Sequence, residues 1–332
     1  MFHLARRQIA TATRSWPRGL SGLFLHRYFA GKSINNIAAC NDCPQSEGLF
    51  RSKLVHTKSY HTTMPQAGLS GSQTVQQSKQ HEAVRNFVSG ATGLEAALEK
   101  FCGPAESEWK SSKDAEEVEE HLKISWQSIV AAAATTSFTE ASQQKLVDFV
   151  MTLQERSDVE KDGQACQVQG MTMWKDLPTF GWQIRDAWNF DPDESSDQSS
   201  KDQWINLNAF AASLVASAHS QTDDTPDLTL FGLWTIRSAL EEPKATDVAV
   251  AAASAWFVFA APTIADLCGE EREYEGKVAK PGSEHSGQNW TGYSTGRWQA
   301  WQQRLENLKS TVSDGTAKQL VEQAVEAVGE VQ

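Results

Sequence analysis

Apolar residues recur at helical spacing through the middle of this chain, and that periodicity restricts what the chain can become. In WINLNAFAASL, Trp204, Leu207, Ala211 and Leu214 fall on one helical face, and in LTLFGLWTIRSALEE the same is true of Leu230, Leu233, Trp234 and Leu240. The intervening ASAHSQTDDTPD carries turn chemistry, with Asp227 after Pro226 as the expected cap of the second segment. Together they predict an antiparallel helix pair. The preceding GWQIRDAWNFDP brings Trp182, Trp188 and Phe190. An aromatic side chain can bury roughly 150–250 Å², so these three are expected to plug the groove beside the pair.

The blocks RDAWNFDP, WINLNAFAASL and LWTIRSALEE, an Ala-rich segment ending near Trp256, and RWQAWQQRL from Arg297 to Leu305 occur in that order. As a set they resemble a fungal family of helical proteins catalogued as a domain of unknown function, of the DUF3632 type. The resemblance spans roughly the C-terminal half and implies a mostly helical fold without implying a reaction. The chain departs from the family pattern at Ser213, where the resemblance implies an arginine, and at Pro262, inside an expected helix.

A chain of 332 residues with 40% hydrophobic content can build a substantial core. Its net charge of -12 is unevenly distributed: residues 1–64 hold nine Lys/Arg against two acidic residues, and the remainder holds 21 against 40. The body is therefore strongly acidic, which opposes binding to a nucleic-acid backbone. Cys40, Cys43, Cys102, Cys166 and Cys268 are odd in number and mostly scattered, the pattern of a reducing compartment rather than a disulfide scaffold.

Residues 1–64 are basic, and the first 33 contain arginines, hydroxyl residues and no acidic residue. Two readings fit this composition. One is a mitochondrial transit peptide, with Arg27-Tyr28-Phe29 preceding a processing point and a matrix location for the product. The other is a spurious extension, with translation starting at Met64 and a cytoplasmic product. Either way the segment is expected to be disordered. Cys40-x2-Cys43-x12-His56-x4-His61 satisfies a zinc-binding spacing. The positions where a small zinc fold needs apolar residues hold Glu47 and Lys53 instead, so the metal reading is the weaker one. No resident cofactor is expected.

Residues 65–80 read as a Gly/Ser/Gln-rich linker, and residues 81–332 as one all-α domain of roughly eight to ten helices. Helical patterns cover 81–101, 114–135 and 139–156, followed by a polar break at DVEKDGQACQVQG. The connector from Asp191 to Asp202 superficially resembles a calcium loop. Ser196 replaces its turn glycine, so a solvated acidic connector is the better reading. Val248 to Ala265 is free of charge. Its alanine content and Pro262 favour a buried helix over a membrane span. The acidic stretch from Cys268 to Gln288 reads as a mobile loop, and two amphipathic helices end the chain.

Arg237 sits at the centre of the stripe formed by Leu230, Leu233, Trp234 and Leu240, while Asp186 is flanked by Trp182 and Phe190 at helical spacing. A buried guanidinium needs a partner, so Asp186 and Arg237 are expected to form a structural pair with Arg185 left outside. Three functional readings follow. A helical protein–protein interaction or scaffolding protein with an unidentified protein partner is favoured, because no catalytic motif occurs. The second is a small-molecule binder or enzyme with a pocket among Trp182, Trp188, Trp204, Trp234 and Trp298. The third is a zinc-dependent module at Cys40, Cys43, His56 and His61.

Overall fold

The computed structural model describes residues 69–218 and 227–331. The basic extension before Met64, its targeting reading and the zinc candidates Cys40, Cys43, His56 and His61 lie outside the described residues. The chain forms α1 (Gln73–Gln76), α2 (Lys79–Val88), α3 (Leu94–Ser112), α4 (Ala115–Thr135) and α5 (Ala141–Gln154). Two minimal hairpins follow, β1 (Glu160–Lys161) with β2 (Gln164–Ala165) and β3 (Gln167–Val168) with β4 (Met171–Thr172). Then come α6 (Phe180–Ala187), α7 (Gln198–Ser217), α8 (Thr229–Leu240), α9 (Asp247–Gly269), a 3-10 turn at Ser283–His285, α10 (Thr295–Leu308) and α11 (Gly315–Glu330). The all-α expectation holds. The eleven α-helices among the described residues slightly exceed the expected number, partly because α1 is a single turn.

Two helices organise the packing. α4 gathers α2, α3, α5 and α6, while α9 gathers α8, α10 and α11; α7 packs against both α4 and α9. Small side chains make this possible. Ala131 to Ala134 of α4 are all buried, and the side chain of Asn206 on α7 donates to the Ala134 carbonyl at 3.0 Å. In α9 every side chain from Val250 to Phe257 is buried, so a helix apolar on all sides has neighbours on all sides. By length and composition α9 could cross a membrane, but most of it is covered by the other helices. The Thr246 side chain caps it, accepting from Ala249 N at 3.2 Å. Pro262 does not end α9 as its position implies: the helix bends at Ala260, φ -139°, and runs on to Gly269. A missing N–H and a ring against the preceding turn produce a kink when flanking helices hold both halves.

Several boundaries differ from the sequence reading. The presumed linker is partly folded, since α1 and the start of α2 lie within residues 65–80 and Val75 and Gln80 are buried. Val75 is one buried apolar residue among polar ones, too sparse to register as a periodicity. The helix expected over residues 81–101 is two helices, divided at Gly90 with φ +78°. The polar break at 158–170 folds back on itself twice. Asp162-Gly163 and Gln169-Gly170 all take positive φ, the two-residue turn geometry that matches strand twist. Finally, α7 and α8 are joined mainly through α9 rather than as a simple pair.

Candidate functional site

The polar centre of the C-terminal half lies where α8 ends and α10 begins. Glu241 follows the last turn of α8, and Arg297 lies in the first turn of α10 behind the Ser294 cap, whose hydroxyl accepts from Arg297 N at 3.2 Å. Both side chains are fully buried. Arg297 Nε donates to Glu241 Oε1 at 2.8 Å, and Nη2 donates to Oε2 at 3.1 Å. The remaining guanidinium donors reach main-chain carbonyls: Nη1 those of Ala279 at 2.9 Å and Gly292 at 2.6 Å, Nη2 that of Lys280 at 3.0 Å. The carboxylate is equally occupied, accepting from Trp301 Nε1 at 2.9 Å and from Gly282 N at 2.7 Å. All five guanidinium hydrogens have partners, and each carboxylate oxygen accepts twice. Such closure is what makes a buried charge pair tolerable, and it leaves no donor or acceptor for a ligand.

This pair corrects the one expected from the sequence. Asp186 is exposed on α6. Arg237 Nη1 donates instead to the carbonyls of Val278 and Lys280, each at 3.2 Å. Burial and the nearby Arg297 charge lower the Arg237 pKa from its usual value. Arg185 stays exposed at the surface as expected, with its guanidinium 5.3 Å from the Trp234 ring centre and donating to Asn189 Oδ1 at 3.0 Å. The expected pair fails because α8 is buried on most of its circumference, so its stripe does not identify a single docking face. The Glu241–Arg297 pair had its own signal: Arg297, Trp301, Leu305 and Leu308 repeat at helical spacing and are all buried, with a charge at the first position.

The same carbonyls show that the stretch after α9 is held rather than mobile. Trp234 Nε1 donates to the Val278 carbonyl at 2.8 Å, which places indole, Arg237 and Arg297 along one short run of main chain. Farther along, Tyr293 donates its hydroxyl to the Thr229 carbonyl at 2.8 Å, and the hydroxyls of Tyr274 and Thr229 meet. Asp227 accepts from Thr229 N at 2.9 Å and from Arg272 Nη2 at 3.1 Å, so it pins this loop to the start of α8, although the cap position is held by Leu228 and not by Asp227 as expected. Gly292 has no room for a side chain: a Cβ there would fall 1.9 Å from the Arg272 carbonyl oxygen.

The five tryptophans named as a pocket do not converge on a cavity. Trp188 wedges between Trp204 of α7 and Phe231 of α8, at ring distances of 5.2 and 5.0 Å. Trp234 packs edge-on against Phe231 at 5.5 Å, whereas Trp298 lies elsewhere, against Phe257 at 6.0 Å. Trp182 is 37% exposed. Beneath Trp188 runs a filled polar chain. Its indole donates to Thr235 Oγ1 at 3.2 Å, Thr235 donates to Asn208 Oδ1 at 3.0 Å, and Trp256 donates to the same oxygen at 2.9 Å.

The acidic connector also resolves into local structure. Asp193 accepts from Ser195 N at 2.8 Å, and Asp197 caps α7 through Ser200 N at 2.9 Å. Among the described residues no group of His, Cys, Asp and Glu side chains is arranged to hold a metal ion. Two open concavities among the described residues are lined by none of the five tryptophans. One of about 460 Å³ is lined by Trp109, Lys113, Ala115, Gly163, Gln164 and Gln167, and one of about 250 Å³ separates Leu305 from Val325 and Val328.

No curated protein and no solved structure matches this chain significantly. A family model does match from Trp126 to Leu305, more than half of the chain, taking in the Trp188 cluster, the polar chain through Asn208 and both members of the Glu241–Arg297 pair. The chain thus belongs to the family described as protein of unknown function, DUF3632.

Proposed function

We propose that this protein is a helical interaction module, a rigid acidic body that binds another protein through its surface. The observation that supports this reading is how fully the tryptophan cluster and the buried charge pair of the C-terminal half are committed to their own chain. The tryptophans pack on one another, and the buried Arg297, Glu241 and Asn208 spend their hydrogen bonds on their own chain. Groups so committed act as architecture, which turns attention to the surface. The chain after residue 64 carries 40 acidic residues against 21 basic ones, an excess that would steer a basic partner by long-range attraction.

The test is affinity capture of the full chain from its native cells, with cross-linking before lysis and native mass spectrometry of the eluate. The reading expects a stoichiometric protein partner released by moderate salt. A stoichiometric small molecule with no protein partner would instead favour a binding protein or enzyme.

A further inference from the structure

Trp182, at 37%, is the one large hydrophobic side chain left exposed among the described residues. Arg185 and Asp186 follow three and four residues later on the same outer face of α6, and both are exposed. Arg185 joins this face to α8, because its guanidinium lies over the Trp234 ring. The Trp234 indole in turn donates to the Val278 carbonyl, which also accepts from Arg237. Trp182 and Arg185 thus continue into half-buried Trp234 and Arg237 as one strip.

Both arginines have donors to spare. Arg237 commits only Nη1, to the carbonyls of Val278 and Lys280, and its Nε and Nη2 edge has no partner in the protein and stays open to solvent. Arg185 likewise commits only Nη1, to Asn189. Among the described residues the arginines in ion pairs are Arg156, Arg272 and Arg297, so neither of these two is neutralised. The carboxylates that act on Arg237 are spent elsewhere. Glu241 is closed around Arg297, and Glu242 accepts from the Ser283 N–H at 3.1 Å and from its hydroxyl.

The Nε and Nη2 edge of a guanidinium presents two parallel N–H groups that match the two oxygens of a carboxylate or a phosphate. Charge chooses between these. Asp186 and Glu242 lie beside the two guanidiniums in a chain that is acidic after residue 64, so a doubly charged phosphate is opposed where a single carboxylate is matched. Trp and Arg are the side chains that most often anchor protein interfaces. Neither concavity is lined by this strip, and a group borne on a partner's surface needs no enclosing pocket. We infer that the strip docks an aspartate or glutamate side chain of the partner protein, held at two points by Arg237 Nε and Nη2, with Arg185 as the second cation and Trp182 covered by the partner. The inference rests on the interaction reading above and names its surface. A partner that is basic overall, steered by the acidic body, brings one carboxylate to it.

The test titrates the full chain with a capped Gly-Glu-Gly peptide, using Gly-Gln-Gly and inorganic phosphate for comparison, and follows the arginine Nε–H signals in ¹⁵N spectra. The Glu peptide should move the Arg237 signal, identified by its absence from Arg237→Lys. The Gln peptide should leave that signal in place, and phosphate should bind more weakly than the Glu peptide. Arg237→Lys, which keeps the charge and removes the paired edge, should weaken binding about tenfold. Should Arg237→Lys not fold, Arg185→Gln, changed at an exposed side chain, must weaken binding, and the Arg185 signal that it removes must move in the unaltered chain. Signals unmoved by the Glu peptide, or moved equally by the Gln peptide, would overturn the assignment, and tighter binding of phosphate would overturn the choice of carboxylate. In cells, Trp182→Ala and the pair Arg185→Gln with Arg237→Lys should each lower the yield of captured partner. If both capture the same partner undiminished, the interaction reading survives and this surface does not. If the Glu peptide binds through Arg237 but cells yield no protein partner, the carboxylate site stands and the interaction reading falls.

Discussion

Arg297 and Glu241, which are 56 residues apart in sequence, meet as a two-point pair with neither side chain exposed to solvent. The pair joins the end of α8 to the start of α10 and fixes the loop that passes over both. Removing one partner leaves the other charge buried with its solvation still missing. Glu241→Gln and Arg297→Met should therefore each lower unfolding stability by roughly 3–5 kcal/mol, while the double substitution Glu241→Leu with Arg297→Met should recover much of that loss. Urea titration of the three variants checks this. Single variants within about 1 kcal/mol of the parent would show that the pair is not the clamp its geometry implies.

The contrasting case is Asp186. It is exposed and lies on a helix whose neighbouring Arg185 is already engaged by Trp234 and Asn189. Asp186→Ala should change the urea midpoint by an amount equivalent to no more than about 0.5 kcal/mol. A loss of several kcal/mol would restore Asp186 as a structural partner.

Asn208 is fully buried and serves two donors, Thr235 and Trp256, through one oxygen while its amide donates to the Trp204 carbonyl at 2.9 Å. Asn208→Ala strands the Trp256 indole, at a cost of about 1–3 kcal/mol for that group alone. Thr235→Val leaves Asn208 Oδ1 served by Trp256 and strands only the Trp188 indole, whose bond is part-buried, so it should cost less. If thermal melts rank the two variants in the opposite order, the bond from Trp256 is not the important one.

Close approach of α8 to α9 depends on Gly232, where a Cβ would fall 2.7 Å from a ring atom of Trp256. Because the ring is itself buried and hydrogen-bonded, it cannot yield, and Gly232→Ala should cost about 1–3 kcal/mol. By contrast, a methyl group on Gly329, in the last turns of α11, would meet nothing within 4 Å, and Gly329→Ala should gain up to about 1 kcal/mol. Differential scanning calorimetry of both variants gives the signs directly.

Alkaline pH should weaken the fold. Burial raises the Cys166 thiol to about 11 and the Cys268 thiol to about 12, and it also raises Cys102 and the phenols of Tyr274 and Tyr293. An unfolded thiol ionises near about 8.5. Below that pH both states hold the proton and these thiols leave stability unchanged. Above it the unfolded state loses protons first, so stability declines as pH rises towards the folded value of about 11 for Cys166. Urea midpoints should be flat in this respect up to pH about 8 and fall beyond it. Three thiol equivalents should react with a disulfide reagent only on unfolding, since Cys102, Cys166 and Cys268 are all buried.

The periodicity of Leu207, Ala211 and Leu214, or of Trp301, Leu305 and Leu308, is local information, because side chains at helical spacing share a face wherever the helix goes. It determined the helical class and most long elements. The body's acidity is likewise a property of composition. What periodicity cannot decide is which face meets which. Arg237 and Arg297 both lie among apolar neighbours in sequence, yet only Arg297 meets a carboxylate, because the turn after α8 brings Glu241 beneath α10 while Arg237 faces loop carbonyls. The loop after α9 is polar and looked free. Its order comes from main-chain carbonyls, which every residue carries and no sequence pattern reveals. The concavity beside Trp109 has the same origin: helix ends and hairpin turns separated by some 50 residues define it, and only the folded chain brings them together.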